Sequence, residues 1–187
     1  MRRGLPTVAL LTALALCAAG CSDPPEDKPT VAALTPFVAD RPVRVKGDAT
    51  PTADQAAALA LLEANRAEFT TRFAVLTAEA TPSDVKAALA GYAAAVEPLP
   101  MPACPLPMRA AFGRHLKDWK ALAAALSRLP NAYEGVEFLD MMQSLFANAT
   151  DRGKPLGADV VNAVRAVNKS HADLKAAAEK LGLEFVK

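Results

Sequence analysis

The amino-acid sequence predicts an all-α protein, an antiparallel bundle of four main helices and one shorter helix. From residue 51 onward, apolar residues recur at three- and four-residue steps, which places them on one face of a helix. Segments containing proline or glycine separate five such stretches, and these residues favour helix ends. No alternating strand pattern of useful length interrupts them. We therefore divide the chain into residues 1–20, 21–50 and 51–187, of which the last forms the helical domain.

The first helix is predicted from Thr50-Pro51 to about residue 79. Threonine is a favoured N-cap, and proline is favoured at the first helical position. Arg66 occupies the one position of its repeat that is not apolar. The apolar face consists of Leu59, Leu62, Phe69, Phe73 and Leu76.

The second helix is predicted to begin at Thr81-Pro82-Ser83-Asp84 and to end before Pro98. Its apolar face consists of Val85, Leu89, Tyr92 and Val96. Residues 98–107 contain five prolines and cannot be helical, since proline lacks the N–H donor and restricts the preceding residue. A third helix follows over about 107–129. Its inward residues are Phe112, His115, Leu116, Trp119, Leu122 and Leu126.

Asn131-Ala132-Tyr133-Glu134 resembles a capping box and predicts the start of the fourth, shorter helix. Its apolar residues are Phe138, Leu139, Met142, Leu145 and Phe146. Residues 151–157 form a loop. The fifth helix is predicted over about 158–181, with Gly182 at the C-terminal cap. Its apolar face consists of Val160, Val164, Val167, His171, Leu174, Ala178 and Leu181.

The first 20 residues have the layout of a secretory signal: the basic start Met1-Arg2-Arg3, then an apolar run shorter than a membrane span. The run ends in Ala18-Ala19-Gly20-Cys21, which resembles the lipobox of bacterial lipoproteins. The resemblance implies cleavage after Gly20 and acylation of Cys21, whereas Cys17 follows a bulky leucine that the lipobox excludes. We expect a lipid-anchored protein of the bacterial cell envelope that faces the periplasm. Ser22, next to the lipidated residue, favours the outer membrane over the inner.

Residues 21–50 combine five prolines with charged and small residues and predict an extended tether between the lipid and the helices. Within it, Val43-Arg44-Val45 could form a short strand. We expect residues 22–48 to supply few core side chains.

Composition and motifs exclude several function classes. The chain has 21 basic and 20 acidic side chains, and removal of residues 1–20 removes two basic residues and no acidic one. The mature protein therefore lacks the positive charge that nucleic-acid binding requires. The sequence also contains none of the common nucleophile-elbow, zinc-protease, phosphate-loop or dinucleotide-binding motifs. We predict that the protein is not an enzyme.

Both histidines of the chain, His115 and His171, lie on predicted apolar faces of different helices, where bundles hold haem or metal ions. The alternative is a histidine at the edge of the core whose partner is a neighbouring hydroxyl or carboxylate. Residues 167–175 (Val-Asn-Lys-Ser-His-Ala-Asp-Leu-Lys) resemble the C-terminal helix of the cytochrome c-prime group, in which the histidine ligates haem. Val167 and Ser170 replace the attachment cysteines, so the resemblance leaves only a noncovalent haem b.

A second candidate site combines Met101, Cys104, Met108 and His115, because thioether, thiol and imidazole groups suit copper(I). Cys104 is the one cysteine outside residues 1–21, so it has no partner for an intramolecular disulfide. The alternative is that Cys104 and the methionines only fill the core. The sequence therefore favours a membrane-anchored, non-catalytic module without a cofactor that binds an envelope protein, with haem b or copper binding as the alternative.

Overall fold

The computed structural model describes residues 42–73, 75–76, 82–99, 101–129, 135–147 and 153–186. These contain five α-helices and one two-stranded sheet, which confirms the predicted helical bundle. In chain order the elements are β1 (Val43–Val45), α1 (Ala53–Phe73), α2 (Pro82–Val96), α3 (Leu106–Ser127), α4 (Gly135–Phe146), α5 (Ala158–Lys180) and β2 (Leu183–Phe185).

Several sequence predictions concern residues outside these ranges. They include the signal segment 1–20, the lipidation site Cys21, the tether up to residue 41, the second-helix N-cap at Thr81 and the capping box at 131–134. Within the ranges that the structure describes, none of the helices combines the length and the apolar character needed to cross a membrane.

Helix α1 begins at Ala53 because Thr52 and Gln55 form a capping box. The Gln55 N–H donates to Thr52 Oγ1 at 3.3 Å, and the Thr52 N–H donates to Gln55 Oε1 at 2.9 Å. The predicted N-cap at Thr50 is therefore wrong by two residues. The helix ends at Phe73, earlier than the predicted residue 79.

The buried face of α1 differs from the prediction in several positions: Leu59 is only half-buried, and Ala58 and Leu61 are buried in addition to the predicted residues. Asn65 is 1% exposed, whereas Arg66, which was expected to complete the repeat, is half-buried and pairs with Glu63. All the inward side chains predicted for α2 and α3 are buried, together with Ala93 on α2 and Met108, Ala111 and Ala125 on α3.

Helices α3 and α5 form the most extensive helix pair of the described residues. They run antiparallel, since Arg128 after the end of α3 contacts Asp159 at the start of α5, while His115 in mid-α3 contacts Ser170 in α5. Helix α2 packs between α1 and α3, and Lys86 Nζ donates to the Leu129 carbonyl oxygen at 2.9 Å.

The strands join the two ends of the domain. β1 and β2 are antiparallel, with Val43 opposite Phe185, Arg44 opposite Glu184 and Val45 opposite Leu183. Gly182, with φ of +77°, turns the chain from α5 into β2, as its predicted capping position indicated. We call this pair of strands the terminal sheet.

Val43 and Val45 are both 8% exposed and belong to the hydrophobic core. Residues 43–45, which the prediction placed within the tether of residues 21–50, therefore belong to the folded domain, which extends at least to Pro42. The short strand expected at Val43-Arg44-Val45 is present. It is stable because β2 supplies the hydrogen-bonding partner that a lone three-residue strand lacks.

Candidate functional site

The interface between α3 and α5 holds a buried chain of hydrogen bonds centred on His115. The side chain of His115 is 2% exposed. Trp119, one helical turn later, donates its Nε1–H to His115 Nε2 at 2.9 Å. Ser170 Oγ lies 3.1 Å from His115 Nδ1. Ser170 in turn donates its hydroxyl hydrogen to the Val167 carbonyl oxygen at 3.1 Å.

These contacts determine the tautomer of His115. Because Nε2 accepts the indole hydrogen, the neutral ring carries its own hydrogen on Nδ1 and donates it to Ser170 Oγ. A second proton would have to sit on Nε2, where it would face another donor. Burial, with a smaller effect of His171, lowers the pKa of His115 to about 3. His115 is therefore a neutral residue of the core whose partner is a hydroxyl.

His171 lies beside this chain, at the edge of the interface. Its ring centroid is 5.7 Å from that of His115 and 6.5 Å from that of Phe185 in β2. Burial, with a smaller effect of the Lys175 charge, lowers the pKa of His171 to about 4. The structure thus brings the two predicted histidines together. It places Ser170, rather than His171, at the inner position of the α5 face, since Ser170 is 3% exposed and His171 is half-buried.

Aromatic rings enclose the tryptophan. Tyr92 meets Trp119 edge-on at a centroid distance of 5.2 Å, and Phe146 lies 5.9 Å from it. Tyr92 donates its hydroxyl hydrogen to Asn65 Oδ1 at 2.7 Å, and burial raises the pKa of Tyr92. This second buried polar pair joins α1 to α2 in the way that His115 and Ser170 join α3 to α5.

The sulfur side chains of the predicted copper site are also engaged in the core. Cys104 is 4% exposed and donates its Sγ–H to the Ala57 carbonyl oxygen at 3.3 Å. Burial raises the pKa of the Cys104 thiol, against a smaller opposing effect of the Arg109 charge. Met108 is fully buried, and Met101 is half-buried.

Copper(I) binding by these residues would require rearrangement. Copper(I) prefers thiolate and free imidazole nitrogen, whereas the structure holds a thiol at Cys104 and occupies both nitrogens of His115. Within the described part of the chain, three or more histidine, cysteine or acidic side chains never group in a way that could hold a metal ion.

The pairing of Ser170 with His115 is not arranged as a nucleophile and its base. A serine nucleophile must give its hydrogen to the imidazole. Here the imidazole donates to Ser170 Oγ, and the serine hydrogen goes to a backbone carbonyl. Both side chains are also sealed from solvent, at 2% and 3% exposure. The arrangement therefore holds two helices together rather than activating a hydroxyl.

Sequence reasoning missed Ser170 and Asn65 as buried polar residues. Both lie at positions that continue the three- and four-residue repeat of their helices, so the periodicity contained the signal. It also missed the bond between His115 and Trp119, although their four-residue spacing places the two rings on one helix face.

Val167 and Ser170, which stand where the cytochrome c-prime group has its attachment cysteines, are both buried in the core.

Comparison of the chain with known protein families, with curated proteins and with solved structures found no match. The geometry of the α3–α5 interface and the N-terminal sequence are therefore the basis for a functional proposal.

Proposed function

We propose that the protein is a lipid-anchored, non-catalytic interaction module of the bacterial cell envelope, which faces the periplasm and binds a partner protein there. One observation carries the non-catalytic part. Among the described residues, two side chains that could do chemistry are engaged in internal hydrogen bonds: His115 bonds to Trp119 and Ser170, and Cys104 bonds to a backbone carbonyl. Such groups stabilise the bundle, which supports a role that acts through its outer surface.

The anchor is argued from the N-terminal sequence. Acylation of both the thiol and the new amino terminus of Cys21 would supply the two or more chains that durable anchoring requires. Residues 22–41, with four prolines, would then separate the bundle from the bilayer. A partner within reach of this tether, in the outer membrane by preference, is the expected ligand.

Labelling with a fatty-acid analogue in the native host tests the anchor. Wild-type protein should incorporate the label and fractionate with membranes, while Cys21→Ser should do neither and should accumulate as precursor. Cys17→Ser is the matched control and should behave as wild type. Labelling that persists in the Cys21→Ser protein would refute the proposed anchor.

The competing function, haem b or copper binding through His115, His171, Met108 and Cys104, is tested on the purified mature chain. For this purpose residues 21–187 are produced with Cys21→Ser, and haem or copper(I) is added. We expect no stoichiometric uptake, because binding would break the buried hydrogen bonds of His115 and Cys104. A Soret band or one bound copper per chain that disappears in His171→Leu would establish the competing function instead.

The partner itself is sought by site-specific photocrosslinking in the native host. Probes on exposed residues of one helix at a time should yield a single crosslinked species from one face, and that species should be lost when the face is altered. Crosslinks that are equally frequent on every face, or absent from all of them, would contradict an interaction module.

A further inference from the structure

The charges of α3 lie on one side of the helix. The helix and its C-cap contain five lysines and arginines, which are Arg109, Arg114, Lys117, Lys120 and Arg128. At about 100° per residue, these five fall within an arc of roughly 140°, on the side opposite the buried Trp119. Asp118, the one acidic residue of the helix, lies beyond the edge of this arc. We call the side that the five residues share the basic face of α3.

Two of the five positive charges are neutralised by neighbouring helices. Lys120 Nζ lies 2.7 Å from Glu97 Oε1, after the end of α2, and Arg128 Nη2 lies 3.2 Å from Asp159 Oδ2 at the start of α5. The remaining three are exposed and form no ion pair within the part of the chain that the structure describes; they are Arg109, Arg114 and Lys117. They extend over about 12 Å along the helix. The mature chain has one more acidic than basic side chain, so this positive charge is a local feature of α3.

The shape of the basic face suits a flat partner. The positions between the basic residues hold small residues, such as Ala110, Gly113 and Ala121, so the long basic side chains project beyond them. Leu106, in the first turn of α3, falls near the middle of the same arc and is 69% exposed. Basic side chains around an exposed apolar one are typical of helices that lie on the surface of a bilayer.

The N-terminal segment joins the domain close to the middle of α3. The Val186 N–H donates to the Pro42 carbonyl oxygen at 2.9 Å, and the neighbouring Phe185 ring lies 6.5 Å from His171. His171 in turn lies 5.7 Å from His115, next to Arg114 in the sequence. Residues 22–41 would bridge roughly 25 Å as a random coil and 60 Å as a polyproline helix. A lipid on Cys21 would therefore leave α3 within reach of the membrane surface.

We propose that Arg109, Arg114, Lys117 and Leu106 dock the outer side of α3 on an anionic phospholipid surface, that of the membrane which holds the lipid of Cys21. The guanidinium and ammonium groups bind phosphate oxygens, and the Leu106 side chain enters the interfacial region. Which membrane supplies this surface rests on the anchor of the proposed function, whereas the affinity for anionic lipid does not.

Docking through α3 determines which side of the bundle faces the periplasm. The Phe69 ring of α1 lies 6.4 Å from that of Trp119, on the side of α3 that is opposite the basic face. The docked protein therefore turns α1 away from the bilayer. A partner protein would then find α1 accessible and the basic face of α3 covered.

The size of the effect follows from the number of unpaired charges. Each lysine or arginine close to an anionic surface raises the affinity about fivefold. Three of them should give roughly a 100-fold preference for anionic over neutral lipid in dilute buffer. Most of this preference should disappear in about 0.5 M sodium chloride, since salt screens exposed charges.

Co-sedimentation with vesicles tests the proposal on residues 21–187 with Cys21→Ser, which cannot be acylated at that position. The vesicles consist of phosphatidylcholine alone or of equal parts of phosphatidylcholine and phosphatidylglycerol. We expect binding to the anionic vesicles in dilute buffer and roughly 100-fold weaker binding to the neutral ones. Equal affinity for both, or no binding to the anionic vesicles, would overturn the docking proposal even if fatty-acid labelling confirmed the anchor. Vesicle binding without such labelling would refute the anchor alone.

A triple variant identifies the face that binds. Arg109→Gln, Arg114→Gln and Lys117→Gln together should abolish the preference for anionic vesicles. The matched control removes the same charge from exposed residues of other elements, each changed to glutamine: Lys46, Arg72 and Arg165. It should keep most of the preference. Equal losses in both variants would contradict docking through α3, and so would a wild-type chain that ignores the vesicles but crosslinks from α3 to an acidic protein in the native host.

The apolar contact is tested separately. Leu106→Ala should weaken binding to the anionic vesicles about threefold to tenfold, because its side chain enters only the interfacial region. Val75→Ala is the control, since Val75 is 74% exposed and lies outside α3. It should bind as the wild type does. Equal effects of the two substitutions, or none from either, would contradict docking through this end of α3.

Discussion

Asn65, His115 and Ser170 are each no more than 3% exposed, and each of them bonds to a side chain on another helix. A buried polar group without a partner costs free energy, so it constrains its neighbours to the one arrangement that satisfies it. The Asn65–Tyr92 contact specifies which faces of α1 and α2 meet. The His115–Ser170 contact does the same for α3 and α5.

Substitution of Ser170 tests this role at the α3–α5 interface. Ser170→Ala removes the acceptor for the His115 Nδ1 hydrogen and should lower the free energy of unfolding by about 1–3 kcal/mol. Ser127→Ala is the matched control, because Ser127 also bonds a carbonyl three residues earlier but is exposed. It should change stability by less than about 0.5 kcal/mol. Equal effects in urea unfolding would show that the contact with His115 contributes nothing.

The buried tyrosine pair allows a double-mutant cycle. Tyr92→Phe leaves Asn65 Oδ1 without its 2.7 Å partner and should cost about 1–2 kcal/mol, and Asn65→Leu should cost a similar amount. The double variant should lose less than the sum, since neither polar group is then left unpaired. Strict additivity in denaturant unfolding would contradict the coupling.

At the scale of elements, α1 supports both strands of the terminal sheet. The Val43 N–H donates to Glu63 Oε1 at 3.1 Å, and Gln55 Nε2 donates to the Leu181 carbonyl oxygen at 2.7 Å. The start of the folded domain is thus attached to its end through the first helix. A sheet of only two three-residue strands is stable here because it lies on the core.

Removal of β1 should therefore destabilise the bundle. A chain that begins at Ala49 loses the burial of Val43 and Val45. After the entropic cost of ordering the strand is subtracted, the free energy of unfolding should decrease by about 2–4 kcal/mol. In a domain of this size that corresponds to a decrease in Tm of roughly 5–15 °C relative to a chain that begins at Ser22.

The control for this truncation is Arg44→Ala, which breaks the exposed ion pair with Glu184 and should change stability by less than about 1 kcal/mol. An unchanged Tm on removal of β1 would show that the strand is dispensable.

At the scale of the whole molecule, one hydrophobic cluster contains residues from all five described helices and from both strands. Trp119, the single tryptophan, lies near its centre, 1% exposed and in contact with aromatic rings from α1, α2 and α4. A continuous core of this kind favours cooperative unfolding, since no group of helices has a core of its own.

Two probes of unfolding should therefore agree. Tryptophan fluorescence reports the core around Trp119, and far-ultraviolet circular dichroism reports the helices. At pH 7 their urea transitions should coincide in midpoint and slope. Fluorescence that changes at lower urea than the circular dichroism would reveal an intermediate with intact helices and an open α3–α5 interface, in contradiction to a single cooperative unit.

The sequence by itself determined the helices and most of their buried faces. Proline and glycine positions separate the helices, and the apolar repeats of α2, α3 and α5 select the buried side chains, because both signals act within a few residues along the chain. The proposed lipid anchor at Cys21 also stays a prediction from sequence, since that residue lies outside those that the structure describes.

The tertiary structure alone decided which polar residue faces inward where the repeat allows two. Leu62 and Phe69 are seven residues apart, and so are Val167 and Leu174. A three-residue step followed by a four-residue step, or the reverse, covers that distance, so the buried residue between them can be at position 65 or 66 in α1 and at 170 or 171 in α5. Asn65 and Ser170 face inward because Tyr92 and His115, on other helices, bond to them. The terminal sheet depends likewise on contacts about 140 residues apart in the chain, as in Arg44 with Glu184, and no local pattern specifies a partner at that distance.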